Sequence, residues 1–154
     1  MRASYSVNPE WTMVKKDRAV LEKDWFFTVD GTDFWIPEKI YDIDGASIPW
    51  IFRKIPFVGK PFDKANLTGA GAHDPLFLTH VLGFDGANEV ARQLWIRSGK
   101  SKFAAGVMKA AVASPFGAIS YHNTVKDEED LALIRCQIKW RDDWHKFEPL
   151  WFSV

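Results

Sequence analysis

The chain has 154 residues, of which 47% are hydrophobic and 26% charged, a balance that is typical of one folded domain and excludes extensive disorder. Its 20 basic and 20 acidic side chains cancel, which removes the usual electrostatic case for a nucleic-acid partner. Residues 1–9 contain no apolar signal segment, and no apolar run approaches the roughly 20 residues that cross a bilayer. The single cysteine, Cys136, cannot form an internal disulfide, so the sequence predicts synthesis in a reducing cytoplasm.

Strands are predicted at both ends of the chain. Residues 11–14 and 19–29 are rich in β-branched and aromatic side chains, with a polar turn between them. Asp30-Gly31 is a hairpin signal that precedes a second apolar run at 34–36. Residues 134–140 alternate between apolar and polar side chains, which predicts a strand that pairs with the N-terminal hairpin.

The first half of the middle region is predicted to contain two helices. A short helix at 50–55 follows Ser47 as its N-cap. A longer helix is expected over 62–78, with Pro75 kinking it or ending it near His73.

Two more helices are predicted further along. One covers 87–97, with Asp85 as its N-cap and Gly99 as a C-cap signal, and the other covers 102–114 and is stopped by Pro115. The order of strands, helices and strand predicts an α+β fold: a small antiparallel sheet from the N-terminal hairpin plus a C-terminal strand, packed on three to four helices. We expect a single domain over residues 1–154.

Two polar clusters are candidates for chemistry. Asp44 and Ser47 lie beside a predicted helix N-terminus, where backbone N–H groups favour an anion, although a turn and a helix cap explain the same residues. His73 and Asp74 could act as a base and its orienting carboxylate, or as ligands of a divalent metal, although a buried hydrogen-bonded pair explains them equally well. His80 lies seven residues after His73, which would place it on the same helix face if the helix continued past Pro75.

The aromatic content is high, with eight Trp and twelve Phe. These rings either fill the core or form a contact surface for a protein or sugar partner. The aromatic tail over residues 140–154 either wraps the domain itself or docks on a partner.

The segment 44–49, Asp-Gly-Ala-Ser-Ile-Pro, followed by His-Asp-Pro-Leu-Phe at 73–77, resembles the domain-of-unknown-function family 1353 of tailed phages and prophages. The resemblance covers residues 28–120. It implies a phage origin and a polar site at Asp44, Ser47, His73 and Asp74. The chain departs from the family pattern in having Phe77 in place of Tyr, and Arg92 where an Asp is expected on the later helix.

Two functions follow as alternatives from this resemblance. The first is a structural or assembly component of a tailed virion, such as a tail, head–tail or capsid-associated protein, with other virion proteins or further copies of itself as partners. Such a protein needs no cofactor and passes from the host cytoplasm into the virion. The second is a hydrolase of peptide or cell-wall bonds that uses His73, Asp74, Asp44 and Ser47, with or without a divalent metal held by the first three.

Overall fold

The computed structural model describes residues 1–16, 18–36, 42–43, 60, 62–80, 82–123 and 139–140. These residues form small antiparallel sheets and four helices, which confirms the predicted α+β class. The strands are β1 (Ala3–Ser4), β2 (Trp11–Lys15), β3 (Arg18–Leu21), β4 (Trp25–Val29), β5 (Thr32–Ile36), β6 (Asp42–Ile43) and β7 (Lys139–Trp140). The helices are α1 (Lys64–Thr79), α2 (Gly83–Arg97), α3 (Lys102–Val112) and α4 (Pro115–His122).

The described strands form two antiparallel sheets, whereas the sequence predicted one. The first sheet has the order β1-β4-β5-β7, and the second has the order β2-β3-β6. The difference arises because the apolar run predicted as one strand over 19–29 is two strands, β3 and β4, separated by a bend at Glu22 and Lys23. The Glu22 N–H bonds to the carbonyl of Glu10 and extends the β2–β3 ladder beyond Leu21, whereas β4, which follows the bend, pairs with β1 and β5 in the other sheet.

The predicted hairpin turn at Asp30-Gly31 is confirmed. It joins β4 to β5 in register, with Val29 opposite Thr32. Both turn residues have positive φ, 48° at Asp30 and 86° at Gly31, as a tight hairpin turn with the twist of its strands requires. At the other end of the chain, β7 pairs with Phe34 and Trp35 of β5. The rest of the predicted C-terminal strand, residues 134–138, lies outside the described residues, as does the predicted helix at 50–55.

Helix α1, Lys64–Thr79, agrees with the helix predicted over 62–78 and runs through Pro75, so of the two predicted effects of this proline, a kink or an end near His73, the end does not occur. Proline removes only one intrahelical hydrogen bond here. The loss is offset because α1 packs along α2 and buries Ala70, Ala72 and Leu76, each 2% exposed or less. The helix ends at His80, which takes a left-handed conformation with φ of 57°.

Helix α2 begins at Gly83, so Asp85 lies in its first turn and is not its N-cap. The start is fixed by packing instead, because the preceding residue Leu82 contacts the core. The predicted stop at Gly99 is confirmed. Its N–H bonds to the carbonyl of Ile96, and the Lys100 N–H bonds to the carbonyl of Trp95, which together form a Schellman motif with φ of 107° at Gly99.

Ser101 caps α3, as predicted, by accepting a hydrogen bond from the Ala104 N–H at 3.1 Å. The expected extension of this helix to residue 114 is wrong, because Ser114 caps a further helix. Pro115 therefore does not only stop one helix but occupies the first turn of the next, where its missing N–H costs nothing. No described helix is by itself long and apolar enough to span a membrane; α3 and α4 reach that length and composition only as a pair, across a 54° bend.

Helices α1 and α2 contribute to two buried apolar clusters. One joins the inner face of the β1-β4-β5-β7 sheet to Ala72, Leu76, Val90 and Leu94. The other joins β3 and β6 to helices α1, α2 and α3, with the indole of Trp95 among its largest members. Trp11 of β2 packs against both clusters.

Candidate functional site

The interface between α1 and α2 positions His73. Small residues on α1 let the helices approach closely: Ala72 is fully buried, and Gly69 lies directly against the Trp95 indole. His73 is only 6% exposed and faces α2, four residues after Gly69 on the same helix. The sequence folds this way locally because Gly69 has no side chain and so leaves room for the Trp95 indole of α2 against the α1 backbone.

Both ring nitrogens of His73 have partners within the protein. Nδ1 lies 3.1 Å from Oδ1 of Asp74, and Nε2 lies 3.0 Å from Oδ1 of Asn88 on α2. The ring also packs at 5.1 Å from the ring of Phe77. His73 is thus held by its own helix, by the facing helix and by an aromatic neighbour.

The hydrogen-bond roles in this cluster are coupled. A neutral imidazole that donates from Nδ1 to Asp74 has an acceptor lone pair at Nε2, which cannot bond to the Asn88 carbonyl oxygen. Turning the Asn88 amide over places Nδ2 against Nε2 and makes a normal bond. With Oδ1 towards the ring, Nδ2 is buried without an acceptor in the described part of the chain, so the turned amide also satisfies an otherwise unpaired donor.

Asn88 is the residue that sequence reasoning missed. It is fully buried in the middle of α2, between Ala87 and Val90, on a face that is otherwise apolar. A buried amide requires a polar partner, so an Asn on the apolar face of an amphipathic helix was the available signal. Asp74 is the more solvent-accessible partner of His73, with its side chain 18% exposed.

The other two predicted site residues, Asp44 and Ser47, lie outside the described residues. The strand before them, β6, contacts α1, and Ile43 shares a core cluster with Leu67 and Ala70 of that helix. The predicted meeting of Asp44 with His73 stays a prediction.

Arg92, which stands where the family resemblance implies an acid, belongs to a separate ionic network on α2. Its guanidinium contacts the Glu89 carboxylate at 2.6 Å, and Nζ of Lys109 on α3 contacts the same carboxylate at 2.7 Å. These hydrogen bonds, that of Arg92 foremost, hold the pKa of Glu89 far below its ordinary value. Gln93 also donates to Glu89 and ties the network to the N-terminal strand through the carbonyl of Met1 and the N–H of Ala3.

No group of three or more potential metal ligands gathers among the described residues. His80, which follows the end of α1, lies over Tyr121 at 3.7 Å between ring centres, and its Nε2 lies 3.0 Å from the Tyr121 carbonyl oxygen. Burial raises the pKa of the Tyr121 phenol. Phe77 and Phe84 complete this aromatic cluster around Tyr121. These contacts fix α4 against the end of α1.

Comparison with known proteins found no matching family model, no similar curated protein and no similar solved structure. The geometry of the site and the sequence motifs are therefore the grounds for a function.

Proposed function

We propose that the chain is a non-enzymatic structural or assembly component of a tailed virion. In this proposal, the buried hydrogen bonds of His73 hold α1 against α2. The phage context of this proposal derives from the resemblance of residues 44–49 and 73–77 to family 1353. The structural role of His73 derives from its contacts.

The observation that carries the proposal is the engagement of both His73 nitrogens. A general base must bring a free ring nitrogen within hydrogen-bond reach of a substrate proton. Here Nδ1 bonds to Asp74, Nε2 bonds to a fully buried Asn88, and the ring is 6% exposed. A buried polar group with all its bonds satisfied fixes the way two helices pack, which is an architectural task.

Exposed apolar side chains support a role in protein contacts. Phe116 is 84% exposed and Ile119, three residues later on α4, is 57% exposed, so both project from one side of that helix. Phe103 at the start of α3 is 69% exposed. Large apolar residues that are solvent-exposed in one chain are the type that subunit interfaces bury.

Mass spectrometry of purified tailed particles, from a strain that carries the coding sequence, tests the virion assignment. We expect the chain in a fixed ratio to the major tail or capsid protein after a density gradient. Particles that lack the chain, with all of it left in the soluble lysate, would contradict the assignment.

His73→Ala tests the architectural role. Removal of the ring leaves Asn88 and Asp74 without their partner and opens a cavity, so we expect a loss of about 3 kcal/mol in the free energy of unfolding. His122→Ala is the matched control, because His122 is exposed at the end of α4 and should change stability by less than about 0.5 kcal/mol. A His73→Ala protein of unchanged stability that had lost a cell-wall hydrolase activity of the wild type would favour the hydrolase instead.

A further inference from the structure

The outer face of the β1-β4-β5-β7 sheet carries a second site that is independent of His73. Alternate residues of β4 and β5 point inward, so that Trp25, Phe27 and Phe34 are buried. The residues between them point to the opposite face, where Phe26 is 51% exposed. The two ring-bearing residues of this outer face, Phe26 and Trp35, are directly opposite in the strand register.

A concave pocket of about 480 Å³ opens on this face. Its volume lies within the range of small-molecule sites, which is ~300–1,000 Å³. Its wall combines an exposed aromatic ring with hydroxyl, carboxylate and guanidinium groups, from Ser4, Ser6, Phe26, Thr28, Asp33 and Arg97.

The pocket groups are held in place before any ligand binds. Arg97 donates from Nε to the carbonyl of Tyr5 at 2.9 Å, and its guanidinium lies 5.2 Å from the centre of the Tyr5 ring. The Thr28 hydroxyl donates to Asp33 at 2.8 Å across the hairpin. The Phe26 ring lies nearly parallel to that of Trp35, with a 13° angle between planes and 6.4 Å between centres. Groups fixed in this way lose little entropy on binding.

A smaller concavity of about 150 Å³ adjoins the first and shares Ser6 and Phe26 with it. Its far wall is formed by Asn8, Glu10, Lys23 and Asp24 at the start of the β2 and β4 strands, with Lys23 and Glu10 paired at 3.1 Å. Phe26 therefore lies between two hollows. A ligand that filled both would pass over the ring, which calls for an elongated molecule.

The pocket and the smaller concavity together form a groove that passes over Phe26. We propose that this groove binds a neutral oligosaccharide strand, with one sugar ring stacked on Phe26 and its hydroxyls bonded to Thr28, Asp33 and Arg97. The face of an aromatic ring is negatively polarised and attracts the C–H groups of a sugar. Sugar hydroxyls both donate and accept, which matches a wall that includes a carboxylate, a guanidinium and the hydroxyl-bearing residues Ser4, Ser6 and Thr28.

The charge of the wall selects against other ligand classes. In the larger hollow Asp33 and Arg97 cancel, whereas a phosphate or nucleic-acid site gathers several cations. An apolar peptide would need a wall without so many polar groups, since each would lose its water on binding. The sugar-binding proposal depends on neither the role of His73 nor the virion role. The sugar-binding proposal and the proposed virion function can therefore fail independently.

Titration with cellohexaose and with the hexamer of β-1,4-linked N-acetylglucosamine, followed by calorimetry and by NMR of the indole N–H signals, tests the inference. We expect at least one hexasaccharide to bind, and Phe26→Ala to weaken that binding at least ~10-fold. Phe26→Trp keeps a ring at the site and should retain binding. Phe116→Ala removes an exposed ring from α4, outside the groove, and should leave binding unchanged.

Three results would overturn the inference. The first is an absence of binding to both hexasaccharides at about 10 mM, which corresponds to less than ~3 kcal/mol of affinity. The second is binding that survives Phe26→Ala unchanged. The third is stronger binding to a polyanion such as single-stranded DNA than to either sugar. Circular dichroism of Phe26→Ala checks that its fold is retained. If that variant does not fold, Asp33→Asn provides the same test, with an expected loss of at least ~5-fold in affinity.

Discussion

Gly69 is the point at which α1 and the Trp95 indole touch without a side chain between them, and its replacement by alanine tests how the core is built. A Cβ at this position would lie 2.6 Å from Cε2 of Trp95 and closer still to Nε1 and Cδ1. The indole cannot simply withdraw. It is 2% exposed, and its Nε1 donates to the carbonyl of Asn66 at 3.2 Å.

The size of the effect follows from three contributions. Forcing an extra carbon into a close-packed core costs ~1–3 kcal/mol. Displacing the indole from the Asn66 carbonyl leaves a buried donor unpaired, at a further cost of ~1–3 kcal/mol. Alanine returns ~1 kcal/mol as a better helix former than glycine. We therefore expect Gly69→Ala to lower the free energy of unfolding by about 3 kcal/mol.

Gly106 in α3 is the matched control. Apart from its chain neighbours and the backbone of its own helix, no atom of the described residues lies within 4 Å of a Cβ at this position. Gly106→Ala therefore keeps the helix gain without the clash and should stabilise the protein by up to ~1 kcal/mol. Urea unfolding followed by circular dichroism and tryptophan fluorescence measures both variants. A Gly69→Ala protein as stable as wild type would refute the proposed contact between α1 and the indole.

Three further outcomes are expected. Because the pKa of Glu89 lies far below its ordinary value of 4.5, mainly through its hydrogen bond to Arg92, its contribution to stability is fully present above pH 4.5 and is lost as the pH falls below it. Glu89→Gln should therefore flatten the fall in urea-unfolding stability between about pH 5 and pH 2, and an unchanged slope would contradict this. Ser101→Ala should cost ~1 kcal/mol in thermal unfolding while Ser101→Asp stays near wild type, and an unchanged Ser101→Ala transition would contradict the capping role. Gly31→Ala should destabilise the hairpin by ~1–2 kcal/mol because φ is 86° there, and a calorimetric transition at the wild-type temperature would rule this out.

The parts of the fold that sequence predicted are those fixed by local chemistry. The turn at Asp30-Gly31 and the caps at Ser101 and Gly99 depend on the residues themselves, so they could be read directly. The continuation of α1 past Pro75 and the division of the apolar run 19–29 into two strands do not follow from local chemistry. Both outcomes are decided by packing between distant segments. Burial along α2 outweighs the hydrogen bond lost at Pro75, and the pairing of β3 with β6 and of β4 with β1 places the two parts of the run in different sheets.

The candidate site was predictable only in part. His73 and Asp74 were singled out by residue type, and their contact is local to one helix. Asn88 could not be linked to them from sequence, because the contact spans 15 residues and depends on how α1 and α2 cross. The outer-face groove was still less accessible. It requires the pairing of β1 with β4 and the return of Arg97 at the end of α2 to the same edge.

Trp11 has a consequence for how the molecule loses its structure. Its ring lies against Gly71 of α1 and packs on both apolar clusters, so one side chain is shared by two cores. If the packing of one cluster is lost, Trp11 is displaced and the other cluster loses its contacts with that ring. A shared indole of this kind couples two halves that could otherwise melt separately, and favours their unfolding as one cooperative unit.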